Sequence, residues 1–316
     1  GQPANGIARW DGSSWSALGA GISTGARTVA VTSSGQVYVG GFFTQAGGQP
    51  ISNVARWDGS TWSALGSGTN GVVTDLLLAP NGTLYAAGGF TEAGGTTVRY
   101  LAQWDGSNWS DVGGGVDTAI YALALAPSGD LLVGGSFSQA GTTPANNIAR
   151  WNGTIWSNLG QGTSGAVNAI RCTATGEVYA GGNFTVAGGV LVNHVARWNG
   201  AAWGSLAGGI GGGNARALDF DSSGELYVGG NFLALNGLSA LNIGRWNGSS
   251  WANLGDGFNN IIYSLLADGS GGLYAAGIFI HAGSTVANCV ARWDGSTWSP
   301  VGGGFNSTVY ALALDP

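Results

Sequence analysis

Short apolar stretches alternate with clusters of small and polar turn residues along the whole chain, and none has the spacing of an amphipathic helix. The segment beginning at residue 120 shows the unit. Ile120 to Ala126 is apolar throughout, Pro127-Ser128-Gly129 turns the chain, and Leu131 to Phe137 is again apolar or small. A longer polar loop, 138–146, leads to Asn147 to Trp151, an Asn-Gly turn, and Trp156 to Leu159. Four short strands per unit, hereafter the first to the fourth, with turn signals about every 8 to 12 residues, predict an all-β chain.

The unit repeats. The frame Trp-Asp/Asn-Gly-x-x-Trp begins at Trp10, Trp57, Trp104, Trp151, Trp198, Trp246 and Trp293, in steps of 47 residues with a single step of 48. A fixed period of this size marks an architecture in which each unit buries its apolar face against the next. One repeat fills the chain, so residues 1–316 are read as a single domain. The turn inside the frame explains its residues. Asp11, Asp58, Asp105 and Asp294, or Asn152, Asn199 and Asn247, offer a short acceptor to the turn's N–H groups. The glycine that follows takes the positive φ of a tight hairpin. The two tryptophans staple the flanking strands and are expected to pack between sheets.

The second strand carries another signature. Gly40-Gly41, Gly134-Gly135, Gly181-Gly182 and Gly229-Gly230 share one register, with Ala87-Gly88 and Ala276-Gly277 as variants, and Phe43, Phe90, Phe137, Phe184, Phe232 and Phe279 follow two residues later. Small residues in a strand mark a close approach, here expected from the Trp and Phe rings of a neighbouring sheet.

An apolar strand, then Leu-Tyr-x-Gly-Gly, then a strand ending in a turn and Trp, resembles the kelch repeat of the galactose oxidase central domain type. The resemblance covers the whole chain. It implies a seven-bladed β-propeller of four-stranded repeats, the first strand lining a central channel. The fourth-to-first and second-to-third loops then share one face. The chain departs from the family in placing Trp, with four residues between it and the second Trp, where Tyr is usual. The turn also resembles the Asp-box of sialidases, with closer spacing. Nothing matches the copper ligands of galactose oxidase, and no cofactor is expected.

The first, third and fourth strands appear seven times and the second six times. Gly1-Gln2-Pro3 matches Gly48-Gln49-Pro50, and Asp315-Pro316 stops just before a further second strand would begin. Either the chain continues past one end, which is the favoured expectation because a missing interior strand leaves N–H and C=O groups unpaired, or one blade lacks a strand. In the second case Val309 to Leu314 joins Ile7 to Leu18 in the last blade. The open slot would then accept a strand from another molecule and permit self-association.

Composition narrows the function. With 61 Gly, 14 Trp and 44% hydrophobic residues, the chain is turn-rich and able to bury a core. Net charge is −6 without charged blocks, which argues against nucleic acid as a partner. No apolar run is long enough for a membrane span, so membrane insertion is not expected. Cys172 and Cys289 occupy different repeat positions, and His194 and His281 share no metal-ligand spacing or catalytic triad partner. A catalytic set is therefore not expected.

Candidate binding residues come from the one variable column of the first strand. It reads Arg27, Thr74, Tyr121, Asn168, Arg216, Tyr263 and Tyr310 while its neighbours stay apolar or small. Arg27, Tyr121, Asn168, Arg216, Tyr263 and Tyr310 are the proposed ligand contacts, since Tyr and Arg stack on and hydrogen-bond sugars or peptides. Arg171 and Asp219 are expected to pair beside the channel. The Arg preceding each first Trp, at 9, 56, 150, 197, 245 and 292, is expected to bind carbonyls or acids of an adjacent blade. The expected function is a non-catalytic extracellular or cell-surface module that binds carbohydrate or protein through its loop face. A structural unit of a filament or surface assembly is the alternative, and a glycan-active hydrolase or lyase is a third.

Overall fold

The computed structural model describes residues 4–315, and within them every regular element is a β-strand. Six four-stranded antiparallel sheets follow one another along the chain, each in up-and-down order. The third is representative: Ile120–Leu125, Leu131–Gly135, Ile148–Trp151 and Trp156–Asn158. The first strand of each sheet adjoins the first strand of the next. Between successive sheets lies an apolar layer centred on fully buried Phe90, Phe137, Phe184, Phe232 and Phe279. This is the packing of propeller blades, with sheets stacked face to face around an axis. The chain begins with a two-stranded pair, Ala8–Trp10 with Trp15–Ala17. The matching segment Gly1-Gln2-Pro3 lies outside the described residues.

The hairpin between the third and fourth strands forms as its residues dictate. Asp58 Oδ1 accepts from the N–H of Ser60 and Thr61, each at 2.8 Å, and these bonds hold its carboxyl far below the usual carboxylate range. Asn152 does the same for Thr154 and Ile155. The next glycine sits at φ 103° in Gly59 and 93° in Gly153, a region closed to most side chains.

That turn sets the two indoles 5.1 to 5.5 Å apart, as at Trp10–Trp15 and Trp198–Trp203. The second indole of each pair then reaches out of its own sheet. Trp62 Nε1 donates to the Leu18 carbonyl at 2.8 Å, Trp109 to Leu65 at 2.8 Å and Trp203 to Leu159 at 2.7 Å. Trp156, Trp251 and Trp298 repeat the bond, and Trp15 donates to Val301 at 3.0 Å, joining the two ends of the chain.

The longer second-to-third loops carry structure of their own: residues 138–146 contain a small hairpin, Gln139–Ala140 with Thr143–Pro144. Its equivalent in the second sheet folds against the second Trp, where a Cβ on Gly94 would fall 2.6 Å from Trp109 Cδ1. Next, the arginine before the first Trp binds an acid of its own sheet, not an adjacent one. Arg245 meets Glu225 at 3.0 Å and Arg292 meets Asp268 at 2.6 Å, while Arg150 and Arg197 pair with Asp130 and Glu177. In an antiparallel sheet the arginine stands beside the second strand, so the turn entering that strand is its nearest source of carboxylate (Tyr274 opposite Arg292, for example). Among the described residues the buried Nε of Arg56 has no hydrogen-bond partner.

A further correction concerns the glycine pair. The first glycine faces an aliphatic side chain of the next sheet's first strand: a Cβ on Gly134 would lie 2.6 Å from Val167 Cγ1, and on Gly229 2.7 Å from Ile262 Cγ2. At the second glycine a Cβ would fall on a carbonyl oxygen of the same sheet, that of Ala119 for Gly135 and Ala166 for Gly182. Trp and Phe rings are not the close neighbours.

Replacing Trp109 tests the inter-sheet wedge. Trp109→Ala is expected to destabilise the chain by about 3–5 kcal/mol, the range for emptying a buried aromatic site. Trp109→Phe should cost about 1–3 kcal/mol, because the Leu65 carbonyl loses its donor. Denaturant melts followed by far-UV circular dichroism measure both.

Candidate functional site

The second glycine meets a carbonyl because the pairing of first and second strands slips by one residue. In the third sheet Ile120 pairs with Gly135 and Ala122 with Gly134, so Tyr121 is left over. The same slip leaves over Arg27, Thr74, Asn168, Arg216 and Tyr263 in the other five sheets. A bulge of this kind re-aims a side chain away from the sheet's alternation. The variable column is thus the bulge column, and the glycine pair is the backbone device that makes room for it.

All seven residues of the column line one cavity of about 420 Å³. The structure therefore brings together every residue singled out from the sequence. They divide into two sides. On one, the Arg27 guanidinium lies 4.1 Å from the Tyr310 ring centre, Tyr310 stands 5.1 Å from Tyr263, and Arg216 lies 5.5 Å from Tyr263. Arg, Tyr, Tyr and Arg form a continuous arc held by cation–π and ring contacts. Among the described residues neither Arg27 nor Arg216 has a carboxylate partner, and Arg216 Nε is buried without any partner.

On the other side Tyr121 is 38% exposed, its hydroxyl 3.2 Å from Ser136 Oγ. Thr74 and Asn168 are committed to the fold: Thr74 Oγ1 donates to the Ile120 carbonyl at 2.6 Å and Asn168 Nδ2 to Ala215 at 3.1 Å. Each caps a carbonyl on the inner edge of the next sheet.

The adjoining column, Thr28, Asp75 and Ser264 among alanines, caps the N–H groups of the same edge. Thr28 Oγ1 accepts from Leu76 N–H at 3.0 Å, Asp75 Oδ2 from Leu123 N–H at 2.8 Å and Ser264 Oγ from Leu312 N–H at 3.2 Å. The sequence reading missed Asp75. Its signal was present, a lone acid in a column otherwise Ala, Ser or Thr. Asp75 is half-buried in the cavity wall, and burial pushes its pKa up to about 6 against the hydrogen bonds from Leu123, Thr28 and Leu76 and the charge of Arg171. Arg171 and Asp219 pair as expected, at 3.1 Å, with Arg171 also donating to the Ile170 carbonyl and Asp219 accepting from Ala267 N–H.

The fourth-to-first and second-to-third loops lie side by side. Asp117 accepts from the N–H of Ser138 and Gln139, and Asn259 from those of Ile280 and His281. Among the described residues no three His, Cys, Asp or Glu side chains are grouped to hold a metal ion. Cys172 and Cys289 are free thiols.

Comparison with known proteins agrees with this architecture. Residues 126–153 match a family described as a domain of unknown function (DUF5122) beta-propeller. A search of curated proteins returns no match. Virginiamycin B lyase from Staphylococcus aureus superposes with a TM-score of 0.55 at 13% identity, over 88% of this chain and 85% of that one. The RRP9 WD40 repeats superpose with a TM-score of 0.54 at 12% identity, over 85% and 76%. A streptogramin B lyase gives 0.52 at 12%, over 87% and 82%. The chain is an all-β protein with a β-propeller fold. At these identities the likeness is one of fold alone, shared by WD40 repeats and lyases.

Asp75 gives the channel a pH signature. In the unfolded chain its carboxyl ionises near pH 3.8, whereas in the folded chain it keeps its proton up to about pH 6. Stability from this group is therefore full below about pH 4 and is lost as pH rises to about 6. Thermal midpoints across this window should show that fall, and Asp75→Asn should flatten it.

Proposed function

We propose that this chain is a non-catalytic interaction module, extracellular or at a cell surface, that holds its ligand at the channel mouth on the loop face. The observation that carries the reading is the convergence of Arg27, Tyr121, Arg216, Tyr263 and Tyr310 on one cavity. We read the ring as seven kelch-like blades, the seventh assembled from residues 309–315 and 7–17. Supporting this are the Trp15–Val301 bond, the Arg27–Tyr310 contact and an ion pair between Arg9 and Asp315 at 2.8 Å. That pair repeats Arg292–Asp268 one period on.

The ligand is a carbohydrate, or a protein segment, and an acidic carbohydrate fits best. Two guanidiniums without carboxylate partners favour an anionic group, and the Tyr rings beside them offer faces on which a sugar stacks. The non-catalytic reading rests on how the acids are used: Asp75 accepts from Thr28, Leu76 and Leu123, and Asp219 from Arg171 and Ala267, so both carboxylates are tied into the inner edges of the sheets.

A glycan array containing uronic and sialic acids, run beside a peptide array, tests the reading. An acidic glycan should be retained, and Arg27→Ala and Arg216→Ala should each weaken it about tenfold, in line with loss of one charge-assisted contact. The thermal midpoint should stay unchanged. Binding that ignores both substitutions, or turnover of the glycan, would refute it.

A further inference from the structure

The second strand of each sheet ends in a buried Phe, and the residues on either side of that Phe stand on the loop face beside the channel mouth. In the third sheet the residue before it is Ser136, whose N–H donates to the Ala119 carbonyl and whose hydroxyl meets the channel residue Tyr121 at 3.2 Å. Ile278 has the same place in the sixth sheet, donating to the Ile261 carbonyl two residues before Tyr263. The flanking side chains differ from sheet to sheet. In the second, third and fourth sheets they are Gly89 and Thr91, Ser136 and Ser138, and Asn183 and Thr185. In the first, fifth and sixth they include Phe42, Leu233, Ile278 and Ile280, all between 40% and 68% exposed.

This division matches that of the channel column. The first, fifth and sixth sheets supply Arg27, Arg216 and Tyr263 to the Arg–Tyr arc. The second and fourth supply Thr74 and Asn168, whose side chains close the inner edge. Guanidiniums, aromatic faces and exposed aliphatic groups therefore share one side of the channel mouth. The aliphatic surface continues across the fifth and sixth sheets. Leu241 abuts the loop entering the sixth sheet, where a Cβ on Gly257 would fall 2.9 Å from its own. Asn259 of that loop accepts from the Ile280 and His281 N–H groups, so Leu241 and Ile280 flank one short segment. Neither side chain serves the core, which Phe232 and Phe279 fill. Contiguous exposed apolar side chains of this kind mark a contact surface.

We propose that the acidic ligand of the channel mouth carries an alkyl or acyl chain, which lies over Ile278, Ile280 and Leu233 while Arg216 and Tyr263 hold the charged sugar. The proposal rests on the acidic-carbohydrate reading above and narrows it to acidic amphiphiles. Charge complementarity selects this occupant. An apolar chain alone leaves two guanidiniums unmatched, and a wholly hydrophilic acid leaves the aliphatic side uncovered. A second copy placed face to face would bring further unpaired guanidiniums against these, a like-charge contact.

Isothermal titration calorimetry with methyl β-glucuronide, octyl β-glucuronide and octyl β-glucoside tests it, the octyl compounds kept below micelle formation. Octyl glucuronide should bind at least tenfold more tightly than either of the others. In Ile278→Ser/Ile280→Ser its advantage over methyl glucuronide should fall below about twofold. Ile155→Ser, which removes an exposed aliphatic side chain from a third-to-fourth turn on the opposite face, should keep the advantage. Without binding of either glucuronide the acidic-carbohydrate reading fails and the proposal with it. Methyl glucuronide binding as tightly as octyl glucuronide leaves that reading standing and overturns the proposal alone. Octyl glucoside matching octyl glucuronide, or loss of the octyl advantage in Ile155→Ser, would also overturn it. Dimerisation abolished by Ile278→Ser/Ile280→Ser would assign the aliphatic surface to a second copy, and flotation with phosphatidylglycerol vesicles would assign it to a lipid surface; either result refutes the proposal.

Discussion

The structure depends on one hydrogen bond made seven times, from the second indole of each repeat to a carbonyl at the end of the preceding repeat's fourth strand. An indole N–H placed in an apolar interface must find an acceptor, since leaving it unpaired costs about 1–3 kcal/mol. Here the acceptor belongs to the neighbouring sheet. Each sheet thus supplies the donor for one interface and the acceptor for the next, and none is satisfied alone. This is why the Trp-Asp/Asn-Gly-x-x-Trp turn is so uniform. The Asp or Asn holds the hairpin, the hairpin sets the first indole against the second, and the pair aims the N–H across the gap.

A second uniform device links this scaffold to its site. The Gly-Gly pair allows the first strand to bulge, and the bulge turns one side chain per sheet into the channel. Backbone geometry is the same in every sheet while that side chain differs. Thr74 and Asn168 spend theirs on closing the inner edge, whereas Arg27, Arg216 and the three tyrosines present charge and aromatic faces to the cavity. Scaffold and recognition are separated by position within the repeat. The column is free to vary because it takes no part in the inter-sheet core.

Periodicity made the strands, the turn chemistry and the variable column legible in the sequence, each from local residues. It misassigned contacts between elements. Arg292 was expected to reach an adjacent blade and instead takes Asp268 from its own sheet, because its nearest carboxylate lies at the turn into the paired strand. The glycine pair was expected to make room for rings and instead clears an aliphatic side chain and a carbonyl. The two-residue strands of the second-to-third loops were too short to show a period.

The sequence by itself determined the repeat, the strand order within a unit and the identity of the residue that would vary, because these follow from pattern and turn chemistry a few residues apart. Only the tertiary structure decided what those residues meet. The Arg27–Tyr310 stack joins positions near opposite ends of the chain, and Asp75 is held between Thr28 and Leu123 of its two neighbouring sheets. Such contacts depend on how successive sheets are rotated about a common axis. That rotation is a property of the packed sheets, and no single repeat encodes it.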